Sequence, residues 1–208
     1  MTRPDLQYTV NNLCQKMHHP TQKDYGALKR ALRYIQGTLC EGLLLVPGSM
    51  HLQAYSDSDW ASDYVDRRST TGYCVYLGNN PISWCSRKQP TVARSSTEAE
   101  YRAMAHATAE VRWLTFLLKD LHLPVSTPDL GCDNQSAMAL ASNPVFHART
   151  KHIEIDYHFV REQVVAKHLT ISYVPTTDQV ADLFTKSLTE DKFIYLKSKL
   201  HLVKPATP

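Results

Sequence analysis

The stretch YSDSDWASD, Tyr55 to Asp63, places Asp57 and Asp59 two residues apart where the flanking sequence alternates like a strand. Side chains at that spacing point to one face of a sheet. Asp is depleted from strands because its short carboxylate competes for backbone hydrogen bonds. A strand carrying two of them therefore has a use for them beyond packing. Further acids sit at other element boundaries. Glu100 lies in the first turn expected of a long helix opening at ARSSTEAEY. Asp133 closes the short strand PDLGCDN, directly ahead of a helix. Asp182 and Asp178 sit one turn apart at the start of a helix expected over DQVADLFTKSL. Ligand sites in α/β sheets collect at the carboxyl ends of parallel strands. Four distant segments, bearing Asp57, Glu100, Asp133 and the pair Asp178 and Asp182, thus each offer an acid placed to reach one centre.

Such a centre is unfavourable by itself. Two carboxylates about 4 Å apart repel by roughly 4 kcal/mol at an effective dielectric near 20. Four of them hold either protons or cations. An all-oxygen donor set favours magnesium or manganese over zinc. Two such ions about 3.5–4 Å apart can activate a water and stabilise the leaving oxygen of a phosphodiester. Each acid also has a structural use. Asp57 and Asp59 fit a turn or sheet edge, and for that pair alone this use suffices. Thr97 with Glu100, and Ser95 with Glu98, have capping-box spacing. Asp133 is placed to cap the helix QSAMALAS, and Asp182 fits the positive end of a helix dipole. Four distant segments each offering an acid favour the metal site.

The elements that position these acids read as follows. Residues 1–38 are helical, with Leu6, Val10, Leu13 and Met17 at helical spacing in the first helix. A second helix runs over 21–36, with Leu28, Leu32 and Ile35 on one face and Gly37 as its stop. CEGLLLV is an apolar run, and HLQAYSDSDW, GYCVYLG and ISWCSRKQ form an antiparallel meander. The long helix buries Met104, Thr108, Val111, Leu114, Leu117, Leu118 and Leu121. A strand ending at Asp133, two helices, the strand LTISYVP, a helix over DQVADLFTKSL and a C-terminal helix over TEDKFIYLKSKLHL complete the chain. The order predicts an α/β fold: a five-stranded mixed sheet, meander plus parallel strands, flanked by helices.

Composition narrows the function classes. The 208 residues suffice for one domain plus an appendage. A net charge of +3 is too small to argue for nucleic acid by itself, so any basic surface is local. Arg67, Arg68, Arg87, Lys88 and Arg94 in the meander and ahead of the long helix, with Arg149 and Lys151 further on, are candidate phosphate contacts. Five cysteines, an odd number with no CxxC pair, argue against a disulfide framework or a cysteine zinc site. His147, His152 and His158 lack finger spacing and are assigned to packing and hydrogen bonding. Trp60, Trp84 and Trp113 are assigned to packing. No apolar run reaches membrane-spanning length, and MTRPDLQYTVNNL lacks an apolar signal core. The chain is expected to be intracellular, with no membrane partner.

The motifs YSDSDWA, DRRSTTGYCVYLG, ISWCSRKQPTVARSSTEAEY, CDNQSA, NPVFHARTKHIEIDYHFVRE and DQVADLFTKSL follow one another as in the ribonuclease H domain of copia-type LTR retrotransposon Pol polyproteins. RPDLQYTVNNL and the helix ending in RYIQGT resemble the tail of the reverse transcriptase ahead of that domain. The resemblance covers nearly the whole chain. It implies a ribonuclease H-like fold at 49–190, a helical remnant of the reverse transcriptase connection region at 1–48, and a C-terminal helix and tail at 191–208. It implies a four-acid site of Asp57, Glu100, Asp133 and Asp182, with Asp59 as second choice for the first arm. Two magnesium ions, or manganese, would serve hydrolysis of the RNA strand of an RNA–DNA hybrid, with an upstream reverse transcriptase domain as a further partner. Relatives often carry a His in the loop before the last acid. Here that loop reads PTTDQ, which puts a proton-shuttle role for it in doubt. The alternative is a catalytically silent relic that binds nucleic acid.

Overall fold

The computed structural model describes residues 2–142 and 153–204. A 3-10 turn, Pro4–Leu6, runs into α1, Gln7–Cys14. α2, Gln22–Gly37, starts on a capping box in which Thr21 Oγ1 accepts from the Asp24 amide and the Asp24 carboxylate accepts from the Thr21 amide. The strands are β1 (Gly42–Leu43), β2 (Leu52–Asp59), β3 (Thr70–Leu77), β4 (Asn80–Lys88), β5 (Asp129–Cys132), β6 (Thr170–Tyr173) and β7 (Leu202–Val203). Helix α3 (Ser96–Asp120) links β4 to β5. Helices α4 (Gln135–Ser142) and α5 (Glu154–Val165) lie between β5 and β6. A 3-10 turn (Val180–Phe184) and α6 (Glu190–Ser198) follow β6.

One sheet has the order β4-β3-β2-β5-β6. β4, β3 and β2 are the antiparallel meander, and β5 and β6 extend it in parallel. The fold is therefore the five-stranded mixed sheet flanked by helices that the sequence predicts. Alternation along β2 divides its side chains between two layers. Leu52 and Ala54 face α3 and pack with Met104, Val111 and Leu130. Tyr55 faces the opposite layer, where Cys74 and Tyr76 meet Phe184, Leu196 and Leu200.

Several expected elements come out differently. Leu117 and Leu121 are exposed rather than buried. The 25 residues of α3 span about 37 Å, and the 8 residues of β2 only about 26 Å, so the last turn overhangs the sheet. Trp60 and Trp113 are about half exposed. On α2, Leu28 and Leu32 face solvent while Ala31 is buried. Polar contacts set that rotation: Tyr34 donates to Asp5 at 2.6 Å, and Arg3 grips the same buried carboxylate at 2.7 and 2.9 Å. The helix expected over DQVADLFTKSL is only the five-residue 3-10 turn. Gln179 ties its start to the sheet, donating to the Ser56 carbonyl and accepting from the Ala181 amide. Near the C-terminus α6 stops at Ser198, and His201 adopts a left-handed φ of 52°. The chain then forms β7, antiparallel to β1. Of the run CEGLLLV, only Gly42 and Leu43 are strand. Lys197 also meets Glu41 at 2.6 Å, so the segments before β2 and after the 3-10 turn are joined to each other.

Gly72 decides how closely the 3-10 turn lies on the sheet. It pairs with Asp57 across β3 and β2. A Cβ at this position would sit 2.6 Å from Thr185 Cγ2, 2.8 Å from Phe184 Cβ and 3.0 Å from the Ala181 carbonyl oxygen. Only glycine allows that approach. Gly72→Ala is expected to destabilise the chain by about 1–3 kcal/mol, read as a lower denaturant midpoint with unchanged slope.

Candidate active site

Asp57 stands near the carboxyl end of β2, facing the 3-10 turn, and is 1% exposed. Asp182, in that turn, is 0% exposed. Thr185 Oγ1 donates to Asp57 Oδ2 across the seam. Glu100 arrives from the other layer on the first turns of α3 and is also buried. Asp133 follows β5 directly and is less buried. Carboxylate oxygens of Glu100 and Asp133 and the Cys132 sulfur lie within 4.8 Å of one another.

Local chemistry leaves these acids available. Glu98, not Glu100, completes the cap of α3: Ser95 Oγ accepts from the Glu98 amide, and the Glu98 carboxylate accepts from the Arg94 amide. Asn134, not Asp133, caps α4, its Oδ1 accepting from the Ala137 amide at 3.0 Å. Asp133 instead accepts from Thr176 Oγ1 at 3.0 Å. Asp178 is a solvated surface acid held by Lys199 and Tyr195. Asp59 is half-buried; burial raises its pKa, and a Ser62 hydrogen bond opposes the shift.

The electrostatics link all four acids. Burial pushes the Asp57 carboxyl up, Lys186 pulls it back, and Asp182 and Asp133 push it further up. Burial pushes Glu100 far above the ordinary carboxylate range, with the charges of Asp57 and Asp133 adding to the effect. Glu100 Oε2 is buried and has no hydrogen-bond partner. Burial also pushes the Cys132 thiol up to about 12. Its sulfur accepts from the Asn134 amide and lies beside the oxygens of Glu100 and Asp133.

Two lysines that the sequence reading missed complete the cluster. Lys186 Nζ lies 2.7 Å from Asp182 Oδ1 and 3.4 Å from Asp57 Oδ2. Lys192 Nζ lies 2.5 Å from Asp182 Oδ2 and donates to the Thr176 carbonyl. The four-residue spacing of Asp182 and Lys186 was a legible signal for the first; nothing local announced the second.

The candidate phosphate contacts divide. Arg67, Arg68, Arg87 and Arg94 are exposed. Lys88 is engaged elsewhere, 2.6 Å from Asp63 and 2.9 Å from Asp66, where it fixes the loop between β2 and β3. Arg149 and Lys151 lie outside the described residues, as do His147 and His152. His158 packs edge-on against the Tyr157 ring. Among the described residues no helix is long and apolar enough to cross a membrane.

Fold and site together define an α/β domain with a buried centre of carboxylates. No protein-family model matches the chain. It is 50% identical over 205 residues to the retrovirus-related Pol polyprotein from transposon RE2 of Arabidopsis thaliana, covering 98% of this chain and 14% of that protein. It is 38% identical over 192 residues to the corresponding polyprotein from transposon TNT 1-94 of Nicotiana tabacum, covering 92% and 14%. Among solved structures, LC11-RNase H1 from compost superposes with a TM-score of 0.49 at 15% identity, covering 65% of this chain and 93% of that chain. The chain belongs to the retrovirus-related Pol polyproteins of transposons, of which it spans about one seventh of the length.

The raised Glu100 carboxyl sets a pH dependence. Its folded-state pKa lies above the unfolded value, so without divalent ions the folded state holds a proton that the unfolded state releases. Stability then falls as pH rises. The melting temperature of the cation-free chain is expected to drop between about pH 5 and pH 8, and Glu100→Gln to flatten that drop.

Proposed function

We propose that this chain is a divalent-cation-dependent ribonuclease H, hydrolysing the RNA strand of RNA–DNA hybrids as a segment of a retrotransposon Pol polyprotein. One observation carries the reading. Oxygens of Glu100 and Asp133 lie within 4.8 Å of each other, the charges of Asp182 and Asp133 act on Asp57, the charge of Asp57 acts on Glu100, and Glu100 Oε2 is buried without a hydrogen-bond partner. A buried acceptor left unpaired among like charges is costly, and a hard cation relieves both costs. Magnesium, or manganese, suits the oxygen donors of Asp57, Glu100, Asp133 and Asp182. Bound there, two such ions would activate a water and stabilise charge on the leaving oxygen.

The chain's own residues do the rest. Asp57 and Glu100 are fixed by strand and helix, so little reorganisation is needed when a cation arrives. Asp133, less buried, is oriented by Thr176. The exposed Arg67, Arg68, Arg87 and Arg94 supply phosphate contacts, and preference for RNA comes from 2′-hydroxyl contacts in its wide minor groove. Residues 1–48 are read as the end of the reverse transcriptase, which makes the polymerase the neighbouring partner. The site of action is read as intracellular.

The test is cleavage of a labelled RNA–DNA hybrid in magnesium, then with chelator. Cleavage leaving 5′-phosphate and 3′-hydroxyl ends is expected, abolished by chelator and by Asp57→Asn or Asp133→Asn in folded protein. Wild-type cleavage rates in both variants would refute the assignment.

A further inference from the structure

Lys186 is a third party in the acid cluster. Its ammonium bridges Asp182 and Asp57 at 2.7 and 3.4 Å, on acids that come from segments 125 positions apart in sequence. Both carboxylates are buried. The Lys186 side chain is 33% exposed, with a path to solvent. Lys192 differs. It touches one acid of the cluster and is anchored besides by the Thr176 carbonyl. Asp182 thus has one oxygen on each lysine.

Charge counting gives this arrangement a meaning. Once a cation displaces the Glu100 proton, four ionised carboxylates against two ammonium groups leave two negative charges, which one divalent ion neutralises. A second divalent ion would over-neutralise the cluster and meet the Lys186 ammonium at the Asp57–Asp182 edge. Among the described residues no lysine forms an ion pair with Glu100 or Asp133, which feel the Lys186 charge only at longer range, and Glu100 Oε2, like Asp182 Oδ1, has no hydrogen-bond partner.

We propose that Lys186 is a built-in counter-cation at the Asp57–Asp182 edge. The free chain then binds one divalent ion, on the Glu100–Asp133 side, and admits a second only as Lys186 swings out. The proposal rests on the cation site of the proposed nuclease. It makes Lys186 a positioning residue that controls occupancy.

The experiment counts manganese ions bound by the whole chain without nucleic acid, from the electron paramagnetic resonance signal of free manganese. The wild type is expected to bind one ion tightly. Lys186→Gln is expected to bind a second, with an affinity for it raised by about tenfold or more. Lys186→Arg, which keeps the charge, should behave as wild type. Melting supplies an independent readout: without manganese Lys186→Gln melts below wild type, and at saturating manganese the gap closes. Where Lys186→Gln does not fold without cations, circular dichroism during a manganese titration decides. Refolding with two ions per chain supports the proposal, and a chain still unfolded at saturation overturns it. A wild type that binds no manganese overturns the nuclease reading itself. A wild type that binds one ion tightly, with a Lys186→Gln variant that gains nothing, overturns the Lys186 proposal alone, as does tight binding of two ions by the wild type.

Discussion

Mutual repulsion of carboxylates in a poorly hydrated space is the constraint around which this chain is organised. Asp57, Asp182 and Glu100 are buried, and burial alone pushes the Asp57 and Glu100 carboxyls up before their neighbours push further. The fold answers with partial compensation. Lys186 and Lys192 sit on Asp182, and a threonine hydroxyl sits on Asp57. Compensation is incomplete at Glu100: the Lys186 charge and a Ser58 backbone hydrogen bond oppose its burial, and its buried Oε2 has no hydrogen-bond partner. The chain tolerates that local cost in a sheet whose two faces are otherwise well packed.

Division of labour between neighbouring residues keeps the acids free. The helix starts beside the site need capping, and a carboxylate on either helix was a candidate for the task. Glu98 and Ser95 cap α3, leaving Glu100 two residues on to point into the cluster. Asn134 caps α4, leaving Asp133 beside it uncommitted to the helix. Each structural need is met one or two positions away from the residue that chemistry needs. The same logic holds on the sheet, where Gly72 yields its side-chain volume so that the turn carrying Asp182 can approach Asp57.

The sheet was legible, and with it the places of Asp57, Glu100 and Asp133 on their elements, because the signals are local: alternation on β2 to β4, a cap at Ser95, an acid directly after β5. The union of Asp57 with Thr185 and Lys186 was not, since more than a hundred residues separate them and no periodicity spans that gap. The rotation of α2 was misread from its aliphatic stripe, because the Arg3–Asp5–Tyr34 contacts outweigh Leu28 and Leu32. Lys88 read as a phosphate contact because a charge run does not reveal its partners; Asp63 and Asp66 engage it from a loop 22 to 25 positions earlier. The 3-10 turn read as a helix because its composition is helical, and the tether from Gln179 to β2 that fixes its start spans more than a hundred residues.

The short ribbon of β1 and β7 gives the chain a mechanical property. Because Gly42–Leu43 is laced to Leu202–Val203, the stretches flanking the central sheet act as a clasp. The clasp holds α6 down, α6 covers Cys74 and Tyr76, and that layer presses on the turn bearing Asp182. A fragment trimmed to residues 49–190 would retain Asp57, Glu100, Asp133 and Asp182 but lose both the clasp and the Lys192 that sits on Asp182.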